Sequence, residues 1–312
     1  MKKFKNALST SSKFHSPRKI RAQNSSQQRK AQSSVDFEPA FQETMDIHEA
    51  ASAGDVDRIQ ELVEEHERDI VHIARNREGL SWTPLHCASQ GGHLPAVQCL
   101  VEHSLAELNQ GDWRRMTPLH LACDYGHVPV VQFLVHHGAD IHAKDIYRKT
   151  PLHSVCFRGN LLLAQYLIQK GAEVNAQNDD GETPLHQSSS NGHLEVVQCL
   201  IQNGADLNAT NQYGFTPLQE ACGRGHLAVV EFLVRSGSDI GANVIPDDIT
   251  RTPLSWARDM GHWDVVHYLE NMIKLRQYHS LVLYLAQTGA LQVKETLLSV
   301  KRNKWAWYEE GK

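Results

Sequence analysis

The tetrapeptide Thr83-Pro84-Leu85-His86 recurs as Thr117-Pro118-Leu119-His120, Thr150-Pro151-Leu152-His153 and Thr183-Pro184-Leu185-His186. Weaker copies stand at Thr216-Pro217-Leu218-Gln219 and Thr252-Pro253-Leu254-Ser255. The threonines step by 34, 33, 33, 33 and 36 residues. A unit of this size cannot bury its apolar face alone, so the units must stack side by side. The length of 312 residues would otherwise suggest about two globular domains. The repeat makes it one quasi-linear stack instead.

The unit beginning at Thr150 shows how each copy works. Thr150 supplies a capping hydroxyl, and Pro151 takes the first helical turn, where no amide partner is needed. Gly159 ends this first helix, Leu161 to Ile168 form a second, and Gly171 stops that one. Residues 172–182 follow as an extended arm, with Asn178-Asp179-Asp180-Gly181 as its turn. Extra residues precede Thr83, and Val244-Ile245-Pro246 lengthens the arm before Thr252, so both linkers are expected to be longer and more mobile.

This period and this motif resemble those of ankyrin repeats. The resemblance implies a mostly α solenoid of helix-turn-helix pairs with β-hairpin-like arms. It also implies a non-catalytic protein that binds other proteins through arm tips and the exposed face of the inner helices. Seven repeats are expected over residues 42–272. The first, from Asp46, is degenerate, and its charged second helix (Glu61, Glu64, Glu65, Glu67, Arg68, Asp69) suits an N-terminal cap.

Residues 1–41 are rich in Ser, Gln, Lys and Arg and are expected to form a disordered basic head. Ser16, before Pro17, sits in a proline-directed phosphorylation pattern. Arg18-Lys19 and Arg29-Lys30 are spaced as a weak two-part nuclear signal, against the plainer reading of a solvated basic tail. The acid-free start also fits an organelle transit peptide, a lower-ranked alternative. Residues 273–312 are expected to be a tail of two short helices, Ile273–Gln287 and Ala290–Val300, ending in Trp305-Ala306-Trp307-Tyr308 and packing over the end of the stack. A recruitment motif is the alternative reading of that tail.

Residues 1–35 carry nine Lys/Arg and no acid, and residues 273–312 carry seven bases against three acids. With a net charge of −5, the body between them holds −18, which argues against direct nucleic-acid binding by the repeats. No run of 18 or more apolar residues offers a membrane span, and the first residues lack the apolar core of a secretory signal. Cys123, Cys156 and Cys222 lie six residues after their threonines, and Cys99 and Cys199 sixteen after theirs. Together with Cys87 they read as small packing residues rather than a disulfide framework, which points to a cytoplasmic or nuclear setting.

Ten of the nineteen histidines fall at two fixed repeat positions, and in ankyrin proteins such histidines resemble structural hydrogen-bonding residues. No Cys or carboxylate pair stands at metal-ligand spacing, so no metal and no cofactor are expected. Signatures of serine hydrolases, zinc peptidases and phosphate loops are absent, and no enzyme is expected.

The surface remains. Register places Trp113, Arg114, Arg115, Met116, Asp124 and Tyr125, then Ile146, Tyr147, Arg148, Lys149, Phe157 and Arg158, on arm tips and inner helices. Aromatic and arginine side chains are what protein interfaces use as anchors. Residues 112–158 hold six bases against four acids, within an otherwise acidic body. The expected partner is an acidic or phosphorylated peptide or protein face. Arg115 and Arg148 stand where the family pattern has a turn glycine, and are expected to force a different turn. Gln187-Ser188-Ser189-Ser190 replaces the usual apolar run, which predicts the softest repeat. By resemblance to substrates of the intracellular asparaginyl hydroxylase, Asn175 and Asn208 are candidate modification sites. The function expected is an intracellular adaptor or scaffold. The alternatives are a ubiquitin-ligase substrate receptor acting through the tail, although the tail lacks a convincing box motif, and a nuclear regulatory protein.

Overall fold

The computed structural model describes residues 47–66, 82–103, 107–241 and 252–287. The described residues form helices and turns, without strands: α1 (residues 47–53), α2 (Val56–His66), α3 (Pro84–Gly91), α4 (Leu94–Glu102), α5 (Pro118–Tyr125), α6 (Val128–His136), α7 (Pro151–Arg158), α8 (Leu161–Gln169), α9 (Pro184–Ser190), α10 (Leu194–Gln202), α11 (Pro217–Arg224), α12 (Leu227–Arg235), α13 (Pro253–Met260) and α14 (Trp263–Gln287). Odd-numbered helices are the inner and even-numbered the outer members of seven pairs. From α3 to α13 each inner helix packs on the next inner helix, and each outer helix packs on the outer helices beside it.

The inner helices begin where the motif demands. Thr83 is extended (φ −95°, ψ 163°), and Pro84 opens the helix behind it. His86 closes a capping box, a role more often filled by Glu or Gln. Its Nδ1 accepts the Thr83 amide at 3.1 Å and the Thr83 hydroxyl at 2.7 Å. A backbone amide can only donate, so Nδ1 carries no proton and the proton sits on Nε2. That Nε2–H donates to the Met116 carbonyl on the following arm at 2.9 Å. His120, His153 and His186 repeat the arrangement, reaching the carbonyls of Lys149, Glu182 and Phe215 at 3.1, 3.1 and 3.0 Å. Gln219 imitates it, its Oε1 accepting the Thr216 amide at 2.8 Å.

Burial fills the space between layers. Leu85, Leu119, Leu152, Leu185 and Leu218 are fully buried, and small residues such as Ala88, Ala122 and Ala221 let neighbouring inner helices approach closely. All six cysteines are buried, with no disulfide among the described residues. Desolvation pushes the thiols of Cys123, Cys156 and Cys222 far up, which suits inert packing groups.

The end of the stack differs from the sequence expectation. The outer helix of the last repeat does not stop at Met272; α14 runs unbroken for 25 residues to Gln287. Earlier outer helices end near a left-handed glycine, as at Gly138 and Gly171, both with φ 94°. No glycine follows Met272 until Gly289, so nothing stops the helix there. The head, the second tail helix and the two lengthened linkers lie outside the described residues.

Acid should loosen this stack through the motif histidines. Burial holds His153 and His186 down to about 4, only partly offset by their bonds to the Glu182 and Phe215 carbonyls. In the unfolded chain both return to about 6.5. Between those values the unfolded state binds more protons. Stability is therefore complete above about pH 6.5 and is lost as pH falls toward 4. Each histidine contributes about 1.4 kcal/mol per unit of depression. The denaturant midpoint should be flat above pH 7 and fall below 6.5. His153→Gln/His186→Gln, copying Gln219, should flatten that fall; an unchanged profile in the double variant would contradict the assignment.

The serine run of repeat five bears on local stability. Ser188 is fully buried where other repeats carry Ala or Val, and Ser189 where three of them carry Cys. Ser89, also buried and without a partner for its hydroxyl, stands at the Ser189 position in repeat two, so the paired serines are what set repeat five apart. Ser188 Oγ donates to the Leu185 carbonyl at 3.2 Å, whereas Ser189 Oγ has no partner. Ser189→Ala should raise stability by about 1 kcal/mol or more, since it removes an unpaired buried hydroxyl. Hydrogen exchange should show α9 as the least protected interior helix of the wild type. A destabilised alanine variant with a well-protected α9 would refute this.

Candidate protein-binding surface

In the four described arms the first residue of the turn closes it. Asp112 Oδ1 accepts the amides of Arg114 and Met116, both at 2.8 Å. Asp145 Oδ1 accepts those of Tyr147 and Lys149 at 2.9 and 2.8 Å. Asn178 and Asn211 serve the next two arms in the same way. Neighbouring arms are joined by backbone bonds: Ile146 N–H to Arg114 O at 2.8 Å, Asp179 N–H to Tyr147 O at 2.9 Å, and Gln212 N–H to Asp180 O at 2.8 Å. The hairpin-like arms therefore form a ladder without regular strands.

Within this ladder Arg115 and Arg148 do not adopt a different turn. They are left-handed, with φ 58° and 57°, as are Gly181 and Gly214 at the matching positions, with φ 72° and 78°. The Asp112 and Asp145 carboxylates fix the turn whichever residue occupies that position. The strain of a non-glycine residue there is about 1 kcal/mol or more.

The structure places the remaining sequence-predicted residues in two groups. At the arm tips, Trp113 is 60% and Tyr147 51% exposed, and Arg115 and Arg148 are exposed. Arg114 is half-buried, with its guanidinium 5.8 Å from the Trp113 ring centroid. Ile146 and Lys149 are half-buried. At the far ends of the eight-residue inner helices, each about 12 Å long, lies the second group. Here Tyr125 is 53% exposed, with its hydroxyl accepting from Gln90 Nε2 at 2.8 Å. Phe157 is half-buried beneath Arg158, whose guanidinium stands 5.7 Å from the ring.

Two residues need correction. Met116 is not a surface residue: it is buried, only 8% exposed, and its backbone carbonyl is the acceptor for His86. Arg158 is exposed but already forked onto Asp124, through Nε at 3.0 Å and Nη2 at 2.9 Å. That pair replaces a missing tie. At the other described junctions a histidine after the turn glycine donates to a carbonyl of the previous repeat, as His193 does to Phe157 O at 3.0 Å and His226 to Ser190 O at 3.0 Å. The fourth repeat has Asn160 there, which caps its own helix at Leu163 N instead.

Structure also changes the charge count. Of the four acids in 112–158, Asp112 and Asp145 are buried in turn bonds and Asp124 is paired with Arg158. The exposed surface of this window is therefore more basic than its composition. The next arm reverses sign, with Asp179 and Asp180 exposed. Beyond it, burial and the neighbouring Glu182 push the Glu220 carboxyl up to about 7, partly offset by Arg224. Tyr213, 55% exposed, is an arm-tip aromatic the sequence reading passed over, although it stands three residues before Thr216 as Tyr147 does before Thr150.

Asn175 and Asn208 are exposed, yet both are engaged at repeat junctions. Asn175 donates to Gly204 O at 3.0 Å and accepts from Asp206 N at 2.9 Å, and Asn208 accepts from Asp239 N at 3.0 Å. Ser16 lies outside the described residues. Among the described residues no His, Cys, Asp and Glu gather into a metal-binding group, and no helix is long and apolar enough to cross a membrane.

A family model described as ankyrin repeats (3 copies) matches residues 47–145, 152–244 and 208–278. No curated protein sequence matches the chain significantly.

The Asp124–Arg158 pair is a measurable joint. Both side chains are partly exposed, so Arg158→Ala should destabilise by no more than about 1 kcal/mol. Adding Asn160→His should restore the usual tie to the Asp124 carbonyl, because Gly126 leaves room for the ring. Denaturation of the single and double variants checks this; no rescue by histidine would contradict it.

Proposed function

The chain belongs to the ankyrin-repeat family, and from that premise we propose that it is a non-catalytic adaptor whose partner docks on the arm tips between Trp113 and Lys149. Ankyrin repeats are protein–protein interaction modules, and the family match spans residues 47–278. The partner presents an acidic or phosphorylated surface and also touches Tyr125 and Phe157 at the inner-helix ends.

One observation carries this reading. The acids of the first two arms are consumed inside their own turns, while Arg115 and Arg148 stand exposed beside the uncovered rings of Trp113 and Tyr147. Rigid aromatic area together with directed cationic donors is the composition of an interface hot spot. Six buried cysteines outside any disulfide suit the cytoplasm or nucleus as the setting.

The test is a quantitative pulldown from cell extract comparing the full chain with Trp113→Ala/Tyr147→Ala/Arg148→Glu. A defined set of partners should be lost, with far-ultraviolet circular dichroism and melting temperature retained. Identical partner lists from the folded variant would remove this surface from consideration.

A further inference from the structure

We infer that the arm surface selects an extended segment of a partner protein carrying two carboxylate side chains three residues apart, one for Arg115 and one for Arg148. The inference rests on the docking surface proposed above and adds the chemistry and spacing of the ligand.

The backbone supplies the first reason. Arg115 and Arg148 hold a left-handed conformation that glycine adopts freely and does adopt at Gly181 and Gly214. Neither arginine side chain makes a hydrogen bond or ion pair with another described residue that would offset the strain. Strain kept at two adjacent matching tips, each on an arm that also carries an exposed aromatic ring, marks a place where side-chain chemistry outweighs local stability; the Tyr213 arm pairs its ring with the unstrained Gly214. The same turn fixes the Cα–Cβ direction of both arginines, so the two guanidiniums start from equivalent points one repeat apart.

Geometry supplies the second. Adjacent inner helices pack about 8–10 Å apart, and that sets the spacing of the arms they carry. A polyproline II segment advances about 3.1 Å per residue with three residues per turn, so residues i and i+3 face the same side and cover one repeat. Two arginines rooted that far apart suit two separate acceptors, each gripped by one planar fork, rather than one phosphate held by both. Trp113 and Tyr147 offer apolar faces to the intervening residues. Asp179 and Asp180 on the next arm repel an acidic ligand, so the footprint ends there. The two arginines set the sequence preference, each through one charge-assisted fork, while the aromatic rings supply most of the contact area.

The experiment selects binders from a random twelve-residue peptide library displayed on phage, with the full chain as bait. Enriched peptides should carry Asp or Glu at positions i and i+3, and should lose at least tenfold in affinity on Arg115→Gly/Arg148→Gly. That variant should melt at or above the wild-type temperature, because glycine relieves both turns. Enrichment without the spacing, no enrichment at all, or undiminished binding by the glycine variant overturns the inference. So does a synthetic peptide with a single phosphoserine that outcompetes the carboxylate pair. If the peptides keep binding the glycine variant but are lost on Trp113→Ala/Tyr147→Ala, the docking surface stands and only its arginine-set spacing falls.

Discussion

Each motif histidine faces two donors on one edge and an acceptor on the other. The threonine amide and hydroxyl point at Nδ1, and the carbonyl of the following arm receives Nε2–H. Only the neutral ring with its proton on Nε2 satisfies all three groups. A second proton would set an N–H against an N–H inside a buried layer. Burial enforces the same choice, because His86, His120, His153 and His186 all have their basicity lowered by desolvation. One side chain thereby caps a helix, spans a repeat junction and fixes the base of an arm.

The arms inherit their order from that bridge. An arm bonded at its base to a buried ring, and closed by an Asp or Asn at its first residue, has little freedom left at its tip. This is why two arginines can be held left-handed without a glycine. It is also why the acids of the first two arms face inward rather than pair with the neighbouring cations: Oδ1 of each accepts from two backbone amides, and Asp112 Oδ2 accepts from Trp82 Nε1. Local turn chemistry and surface charge are thus one fact seen twice. The exposed rings of Trp113 and Tyr147 sit on a scaffold that need not reorganise to bind, which limits the entropy lost on association.

Most of the scaffold was legible because its signals are local. Thr-Pro marks every inner-helix start from α3 onward, and the matched cysteine positions correctly indicated buried thiols. The left-handed Arg115 and Arg148 were not legible from the missing glycine, since the carboxylates that hold those turns lie three residues upstream. Met116 and Lys149 share a register position, yet the apolar residue is buried and the charged one stays half-exposed. The Arg158–Asp124 pair links residues 34 apart, seven and eight positions after successive threonines, and becomes visible only when neighbouring repeats are aligned side by side. The continuation of α14 past Met272 could have been foreseen from the absence of a stop glycine.

The measurement closest to the centre of this account is the protonation state of the motif histidines, read by long-range nitrogen–proton correlation spectroscopy of the full chain across a pH series. The account predicts that the rings of His120, His153 and His186 carry their proton on Nε2 and do not titrate near pH 6.5 while the chain stays folded. A proton on Nδ1, or ordinary titration near 6.5 in the folded state, would contradict it, and with it the fixed arms on which the binding surface depends.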